Sequence, residues 1–295
     1  MHRKIIALAV VSFVWGVSGG LAQEPAAPEV SAIPAATRTE MDCSGFITLS
    51  PVSEDLYVLD GADNDFRGEF RQFGTGEYVY LKSRTGLGFA VGSEYSVVRR
   101  ADEPFYRGIV DPAGPRPLSS MGNISWYAGQ RWSIRSLGRP YEDVGRVKVL
   151  TNTPHGAVAE VTFACGPIHP KDLVVLQQAR EIPQYTRSER LDRFALPNGK
   201  MVGAITAARD NGAILGEGTV AYINLGREDG AAPGQRYRIF RIFRENLDRG
   251  LKALPETPRE TVGELVILSI AERSSVAIVT QSQREIALGD GIELQ

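Results

Sequence analysis

The chain contains few of the residues that most often perform catalysis or bind metal ions. Of its 295 residues, 3 are histidine and 2 are cysteine, which leaves little material for either kind of site. His155 lies in a predicted turn, and His169 precedes Pro170. Neither histidine has a partner at the sequence spacing of a catalytic triad or a zinc site. We therefore predict a protein without a metal ion or a cofactor.

The common catalytic motifs are also missing after residue 22. That part of the sequence has no Gly-x-Ser-x-Gly elbow and no His-Glu-x-x-His helix. The glycines at residues 85–88 lack the Gly-Lys-Ser/Thr that completes a phosphate-binding loop. Paired acids, such as Glu54-Asp55 and Glu228-Asp229, fall in predicted loops, where solvated charge is the simpler explanation. These absences argue against an enzyme.

The N-terminus has the features of a signal peptide. It carries the basic residues Arg3 and Lys4, continues with an apolar run at residues 5–14 and closes on the small residue Ala22. The apolar run is short for a membrane span, and an uncleaved anchor is the alternative. We expect export to the periplasm or the medium, with membrane contact only through this segment, residues 1–22, before its cleavage.

The charge balance does not suggest a nucleic-acid partner. The whole chain has 33 basic and 35 acidic side chains, and removal of the leader takes away Arg3 and Lys4 but no acid. The remaining 31 basic and 35 acidic side chains give a net charge of −4. Nucleic-acid binding usually requires a strongly basic face. The segment that follows the leader, residues 23–40, is rich in Ala and Pro and is predicted to be a disordered spacer.

The two cysteines are predicted to form a disulfide. Cys43 and Cys165 lie near the two ends of the first half of the chain. In an exported protein such a pair is expected to be oxidised. Two buried free thiols are the alternative. A metal site is disfavoured because no second Cys or His lies at ligand spacing.

The strongest pattern in the sequence is an internal repeat. Residues 76–99 match residues 218–241 at one offset, and residues 142–150 and 158–162 match residues 260–268 and 276–280 at another. Residues 45–48 also match residues 203–206 and are predicted to open the first unit. The matched pairs in the turns and strand ends are Gly76 and Gly218, Gly92 and Gly234, Tyr95 and Tyr237, Arg99 and Arg241, Gly145 and Gly263, Asp172 and Asp290, and Leu176 and Leu294.

Each unit contains about six short runs that are typical of strands. β-Branched and aromatic residues fill these runs, and Gly, Pro, Asn and Asp separate them. Without helical crossovers the strands should pair mainly antiparallel, and closure of the sheet would remove its exposed edges. We predict an all-β fold, a tandem duplication of small, mainly antiparallel SH3-like β-barrel or sandwich units. The units span residues 41–176 and 201–295, and the linker between them, residues 177–200, is predicted to pack little and to hold a short helix near residues 186–193.

The first unit is longer than the second by an aromatic insertion within residues 101–141, which has no counterpart in the matched sequence of the second unit. Aromatic faces beside arginine suit sugar stacking or a protein hot spot. The alternative is that these aromatics cover the open end of the first barrel, since large aromatic side chains are usually buried. We predict that the insertion is a binding surface formed by Trp126, Tyr127, Arg131, Trp132, Arg135 and Tyr141.

Two groups of repeated or clustered charges are predicted to have structural roles. Asp172 and Asp290 recur at equivalent turns, where an aspartate that accepts hydrogen bonds from nearby backbone explains the recurrence. A strand of the second unit carries four arginines that would suit an anionic polymer. In an acidic chain a solvated face is the simpler interpretation for this group, which consists of Arg236, Arg238, Arg241 and Arg244.

The motif order of the second unit resembles that of two bacterial families. The motifs are VAYINLG, then DG-x-x-x-G-Q-x-Y-x-I-x-R, VGELVIL, S-x-A-I-V-T and I-x-x-GD-x-I, all within residues 203–294. They are similar to the C-terminal module of certain exported proteins, some of which carry LysM peptidoglycan-binding domains. They also resemble the C-terminal domain of the flagellar assembly protein T family. This chain has no LysM motif. The resemblance, which is looser over residues 45–176, implies an envelope scaffold or binding role and no catalytic residue.

These features together predict a non-catalytic secreted or periplasmic protein that binds or scaffolds at the bacterial cell envelope. The expected partner is an envelope protein or a cell-wall glycan. A flagellar or other surface-assembly accessory protein is one alternative. A hydrolase of an envelope polymer is another, although the sequence offers no site for it.

The aromatic insertion can be tested directly. We expect Trp126→Ala combined with Trp132→Ala to weaken binding of the partner or glycan by about 2 kcal/mol or more, because a central aromatic anchor is lost. The melting temperature should change little, because the second unit closes without these residues. Unchanged binding together with a large drop in melting temperature would show instead that the two tryptophans belong to the core.

Overall fold

The computed structural model describes residues 32–61, 71–101, 126–127, 130–131, 137–188, 190–209, 214–242, 244–247, 250–253 and 259–295. For residues 126–127, 130–131, 244–247 and 250–253 it describes the backbone alone. The fold is all-β and is built on two closed six-stranded antiparallel barrels, which confirms the predicted fold class. Within the described ranges, no helix is long and apolar enough to cross a membrane.

The elements follow the chain in four groups. An N-terminal arm holds β1 (Ile33–Pro34), α1 (Arg38–Asp42) and β2 (Phe46–Thr48). The first barrel region holds β3 (Leu56–Gly61), β4 (Tyr78–Ser83), β5 (Glu94–Arg100), β6 (Trp126–Tyr127), β7 (Gln130–Arg131), β8 (Arg139–Thr153), β9 (Gly156–Ala164) and β10 (Leu173–Leu176). The linker holds β11 (Gln184–Tyr185). The second barrel region holds β12 (Val202–Ala208), β13 (Ile214–Leu215), β14 (Val220–Ile223), a 3-10 turn (Arg227–Asp229), β15 (Arg236–Ile242), β16 (Arg244–Leu247), β17 (Gly250–Ala253), β18 (Arg259–Ile270), β19 (Ser275–Ser282), β20 (Ile286–Ala287) and β21 (Gly291–Leu294).

The two barrels have the same strand order, as the duplication requires. The first barrel is a ring in the order β3-β4-β9-β8-β5-β10, in which β8 pairs with β9 and β10 pairs with β3. The second barrel is a ring in the order β12-β14-β19-β18-β15-β21. The register shifts also recur. β5 and β15 are irregular at Val97/Val98 and at Ile239/Phe240, each beside the glycine of the long partner strand. A shared strand order with shared bulges supports one ancestral unit that was copied.

Two pairs of repeated glycines occupy equivalent backbone positions. Gly92 and Gly234 have φ of +82° and +83°, a conformation that favours glycine, and their N–H groups donate to Val149 and Ile267 at 2.8 and 2.9 Å. A Cβ at Gly145 would lie 2.5 Å from the carbonyl oxygen of Phe163, and Gly263 has an equivalent contact. The recurrence of these glycines therefore follows from turn geometry and close packing.

The repeated arginine and aspartate form the same clamp in both barrels. Arg99 donates to both carboxylate oxygens of Asp172 at 2.8 and 2.7 Å, and Arg241 contacts Asp290 at the same two distances. Each aspartate also accepts a backbone N–H from three residues earlier, at 2.7 and 2.8 Å. The predicted turn role of the aspartates is confirmed. Arg241 is held in this clamp and does not lie free on a solvated face.

One predicted correspondence between the units is wrong. The Val58 N–H donates to the Asp172 carbonyl at 2.9 Å, and the Ile205 N–H donates to Asp290 at 3.0 Å. Strand β3 therefore takes the place of β12, whereas β2 is an additional strand that pairs with the start of β8. The short apolar match between residues 45–48 and 203–206 misled the alignment, because such a match does not identify a strand's neighbours.

The second barrel also has a hairpin where the first has its aromatic insertion. Strands β16 and β17 pair with each other and lie in the sequence between β15 and β18. The shorter strands β6 and β7 also pair with each other and lie in the sequence between β5 and β8. The position of the insertion is therefore shared by the two units, contrary to the prediction that the second unit lacks an equivalent. The last residues of the predicted insertion, from Arg139, belong to β8.

The N-terminal arm joins the two barrels. Residues 33–40, which were assigned to a disordered spacer, contain β1 and most of α1, whose first turn is closed by a capping box between Thr37 and Glu40. Met41 is buried against Val266 and Ile278 on the outside of the second barrel. The arm then crosses to the first barrel, where β2 pairs with β8.

Strand β2 is buried between the barrels. Ile47 packs against Leu137 of the first barrel region and against Tyr222 and Val276 of the second barrel. The Tyr222 hydroxyl donates to the Ser44 carbonyl at 3.0 Å. A Cβ at Gly45 would lie 2.5 Å from that hydroxyl, so only glycine fits there without a shift.

The predicted disulfide is present. Cys43 and Cys165 are joined with a Cα–Cα distance of 5.5 Å, across a sequence separation of 122 residues. Cys43 immediately precedes the segment between the barrels, and Cys165 immediately follows β9 of the first barrel. The disulfide therefore fastens the arm to the first barrel at the point where the arm leaves the second.

The linker packs along the second barrel and is more ordered than predicted. Strand β11 pairs with β1, and Tyr185 is buried. The Thr261 N–H donates to the Arg193 carbonyl at 2.7 Å, which attaches the linker to β18. The described residues of the segment 186–193 contain no helix, contrary to the prediction. Polar composition favoured an exposed linker, but its polar groups bind buried partners on the barrel.

The disulfide should contribute strongly to stability. We expect replacement of both Cys43 and Cys165 by Ser to lower the free energy of unfolding by about 2–5 kcal/mol, because a long loop is no longer closed in the unfolded chain. Chemical denaturation measures this change. The reduced wild-type protein is the matched control and should lose a similar amount. A loss below about 1 kcal/mol in both would contradict the assigned role.

Candidate functional site

The predicted aromatic surface is only partly within the described structure. Trp126 and Tyr127 form one strand of the β6–β7 hairpin, and Arg131 lies opposite Trp126 in its register. The backbone thus brings these three positions together. Trp132 and Arg135 lie outside the described residues.

Tyr141 is a core residue and does not belong to a solvent-facing surface. Its side chain is 3% exposed and stacks on Phe46 with ring centroids 5.3 Å apart. Its hydroxyl accepts the Val52 N–H at 3.1 Å. Tyr141 is removed from the predicted binding set because it holds the arm against β8.

A cleft of about 500 Å³ lies between the two barrels. One wall comes from the arm and from β5 and β10 of the first barrel, and the other comes from the turn between β18 and β19 and from the 3-10 turn. The apolar part of the lining includes Val52, Val175 and Leu176 on the first side and Ile270 on the second. We call this space the inter-barrel cleft. Its volume is in the range of sites that bind ligands or peptide side chains.

The floor of the inter-barrel cleft is made rigid by a buried ion pair. Asp143 accepts the Gly45 N–H at 2.8 Å and a guanidinium N–H of Arg180 at 2.6 Å. Arg180 also donates to the Ser44 hydroxyl at 3.1 Å. A paired and hydrogen-bonded carboxylate is well suited to hold the arm in place. It is poorly suited to act as a free acid or base.

The lining of the inter-barrel cleft mixes apolar, neutral polar and charged side chains. Its charged lining residues are Asp143 and Arg180, which bind each other, and Arg227 and Glu272 on the second barrel. The described lining contains no His or Cys, and several Ser side chains supply neutral hydrogen-bonding groups. Apolar and polar groups therefore converge in one cleft, as they do in sites that bind ligands.

The sequence did not single out the residues of this cleft. Leu176 was matched to Leu294 in the repeat, yet Leu176 is 63% exposed whereas Leu294 is partly buried against the barrel core. The sequence shows only a leucine at the end of a predicted strand. Its exposure can be recognised only when the position of the neighbouring strand is known. The contribution of the second barrel to the cleft depends on how the arm positions the two units.

A second group of buried acids lies on the outer face of the second barrel beneath the linker. Glu264 is fully buried, accepts the Ser188 hydroxyl at 2.7 Å and lies 3.4 Å from Arg236. Burial raises the pKa of Glu264 above its ordinary value, and the opposing effects of Ser188 and Arg236 do not cancel this shift. Glu264 therefore has a weaker tendency to ionise than an exposed glutamate.

The two neighbouring glutamates are held as anions. Burial alone would raise the pKa of Glu260, but hydrogen bonds from Arg284 and Arg193 outweigh it and lower the pKa. Burial acts the same way on Glu293, where hydrogen bonds from Arg259 and the Asn198 N–H lower the pKa below its ordinary value. These carboxylates secure the linker and β15.

The arginine group of the second unit is therefore structural. Arg238 is buried and lies 3.2 Å from Glu293, and Arg236 lies near Glu264. With Arg241 in its clamp, the three described arginine side chains have carboxylate partners. The interpretation of a solvated face is wrong for Arg238, which is buried, whereas the side chains of Arg236 and Arg241 are partly exposed.

The described residues contain no group of three or more His, Cys, Asp or Glu side chains arranged to hold a metal ion. No protein-family model, curated protein or solved structure matches this chain. Functional inference for the chain therefore depends on its own geometry.

The raised pKa of Glu264 makes stability depend on pH. The native state holds this proton more tightly than the unfolded chain, so the contribution to stability is present below the ordinary pKa of 4.5 and is lost as pH rises through the native pKa. We expect Glu264→Gln, which resembles the protonated form, to melt higher than the wild type at pH 8. The difference should shrink as the pH approaches 4.5.

Melting curves at several pH values measure this difference, and each kcal/mol corresponds to a shift of about 2–4 °C. Glu217→Gln is the control, because Glu217 forms an exposed ion pair with Arg187 near the same linker. A gain of the same size at every pH, or an equal gain in Glu217→Gln, would contradict burial as the cause.

Proposed function

We propose that this protein is a non-catalytic binding or scaffold protein of the bacterial cell envelope, exported to the periplasm or the medium, and that the inter-barrel cleft is its binding site. The observation that carries this proposal is an open cleft of about 500 Å³ between the two barrels, lined by apolar side chains and by polar ones. A preformed cleft of this volume, in which apolar and polar groups converge, is the usual place for a binding site.

The construction of the cleft supports a binding site that is formed before a partner arrives. Both walls belong to closed barrels, and Ile47, the disulfide and the Asp143–Arg180 pair fasten the segment between them. A preformed site loses little conformational entropy when it binds. Two of its charged groups, Asp143 and Arg180, neutralise each other, and Arg227 and Glu272 contribute one charge of each sign on the second barrel.

The aromatic insertion remains part of the proposal as a second contact region. Its chain leaves the first barrel after β5 and returns at Leu137, which packs against Ile47 at the barrel interface. A partner in the cleft therefore lies near the end of the insertion. The oxidised Cys43–Cys165 pair is compatible with an exported protein.

The cleft can be tested with a matched pair of substitutions. We expect Leu176→Asp to weaken binding to the captured envelope component at least tenfold, because a charge replaces an apolar contact in the cleft wall. Ile214→Asp is the control, since Ile214 is 66% exposed, close to the 63% of Leu176, and does not line the cleft. Both variants should melt close to the wild type, as surface substitutions usually do.

The partner is obtained by incubating the exported full chain with envelope extract, with purified cell wall as a parallel bait. Affinity is then measured for the wild type and both variants against the component that is retained. Equal affinities for Leu176→Asp and the wild type would remove the inter-barrel cleft as the binding site. Retention of nothing by the wild type would refute the binding role itself.

A further inference from the structure

The first barrel closes with fewer strand contacts than the second. Strand β21 pairs with β12 at three positions, whereas β10 pairs with β3 only at Leu173 and Tyr57. In the second barrel the Leu294 N–H donates to the Met201 carbonyl at 2.9 Å. Within the described residues 32–61, no carbonyl accepts the corresponding bond from Leu176. We call this gap beside Leu176 the open seam.

The backbone of Leu176 points into the open seam. The next residue, Gln177, donates its N–H to the Glu94 carbonyl of β5 at 3.3 Å, as Gln295 does to Arg236 at 2.9 Å in the second barrel. Backbone groups of successive residues in a strand point to alternate sides. The N–H and C=O of Leu176 therefore point away from β5, toward the inter-barrel cleft.

Asp55, the residue before β3, is hydrogen-bonded to the turn that follows β4. Its carboxylate accepts the Thr85 N–H at 2.7 Å and the Ser83 hydroxyl at 3.0 Å, and its carbonyl accepts the Arg84 N–H at 3.0 Å. These bonds hold the start of β3 at the turn between β4 and β5. Burial alone would raise the pKa of Asp55, but the hydrogen bonds from Thr85 and Ser83 outweigh it and lower the pKa.

The second barrel shows what fits such a seam. Val202, at the position equivalent to Asp55, stays in β12 and pairs with Glu293. Met201, the residue before it, supplies the backbone partner that Leu176 lacks in the first barrel. An exposed strand edge of this kind is a template for pairing with another extended chain. Val52, Val175 and Ile270 line the space beside the edge.

We propose that the inter-barrel cleft takes an extended segment of a partner polypeptide, which adds as a strand to the free edge of β10 at Leu176. The segment supplies to Leu176 the backbone contact that Met201 supplies to Leu294 in the second barrel. Its backbone bonds to Leu176, and its alternate side chains face the apolar cleft wall. This inference rests on the proposed function, because it names the partner class for the same cleft.

The probe is a phage-displayed library of random linear heptapeptides, selected on the immobilised exported full chain. A selected peptide is synthesised, and its affinity is measured for two variants of the same residue. Leu176→Pro removes the N–H that points into the seam and leaves the bonds of Gln177 to β5 in place. Leu176→Ala is the matched control, since it shortens the side chain but keeps the N–H.

We expect Leu176→Pro to bind the peptide at least tenfold more weakly than Leu176→Ala. N-methylation of the peptide should weaken binding only at alternate residues, because one side of an added strand faces β10. In the wild-type protein, the Leu176 amide should exchange with solvent at least tenfold more slowly when the peptide is bound. The exchange measurement also decides the matter if Leu176→Pro does not fold.

Equal affinity for the proline and alanine variants, or unchanged exchange at Leu176, would overturn strand addition. Failure of the library to yield any peptide that competes with the envelope component would do the same. If Leu176→Asp still loses the envelope component in these cases, the cleft binds by side-chain contact and the proposed function stands. If Leu176→Asp binds normally, the site itself is wrong.

Discussion

The burial of Ile47 between the two barrels is the contact on which the rest of the structure depends. Strand β2 pairs with β8 of the first barrel, and the Ile47 side chain packs on Tyr222 and Val276 of the second barrel. The part of the arm that precedes β2 packs on the second barrel, and the disulfide at Cys43 fixes the arm to the first barrel. Without this buried strand the two walls of the inter-barrel cleft would have no defined separation.

The duplicated units show how one barrel design serves two roles. Both retain the arginine–aspartate clamp and the close-packed glycine of the long strand, because these contacts close the barrel. The second barrel is sealed, and its outer face is covered by the linker through Glu260, Glu264 and Glu293. The first barrel differs beside Asp55, whose carboxylate accepts hydrogen bonds from Ser83 and Thr85, and the edge of β10 is open at Leu176. A closed and clamped barrel tolerates such a local opening.

The distribution of charge separates structural sites from the proposed binding site. The buried acids of the second barrel and the clamps are paired with arginine, and the buried Asp143 in the cleft floor is paired with Arg180. These paired groups secure the arm, the linker and the barrel ends. The inter-barrel cleft offers apolar side chains, hydroxyl groups and a strand edge, together with Arg227 and Glu272.

The sequence by itself determined the all-β class, the repeat, the disulfide and the turn role of Asp172 and Asp290. These follow from local rules: strand composition, glycine at positive φ, a pair of cysteines in a chain predicted to be exported, and aspartate in a turn. Only the tertiary structure decided that Tyr141 is buried, that β2 lies between the barrels, and that the linker and Arg238 are covered. It also decided that Leu176 borders an open seam although its counterpart Leu294 is paired. The physical reason is that a side chain's neighbours across a sheet come from distant parts of the chain, so identical strand residues become core or surface according to which strand lies beside them.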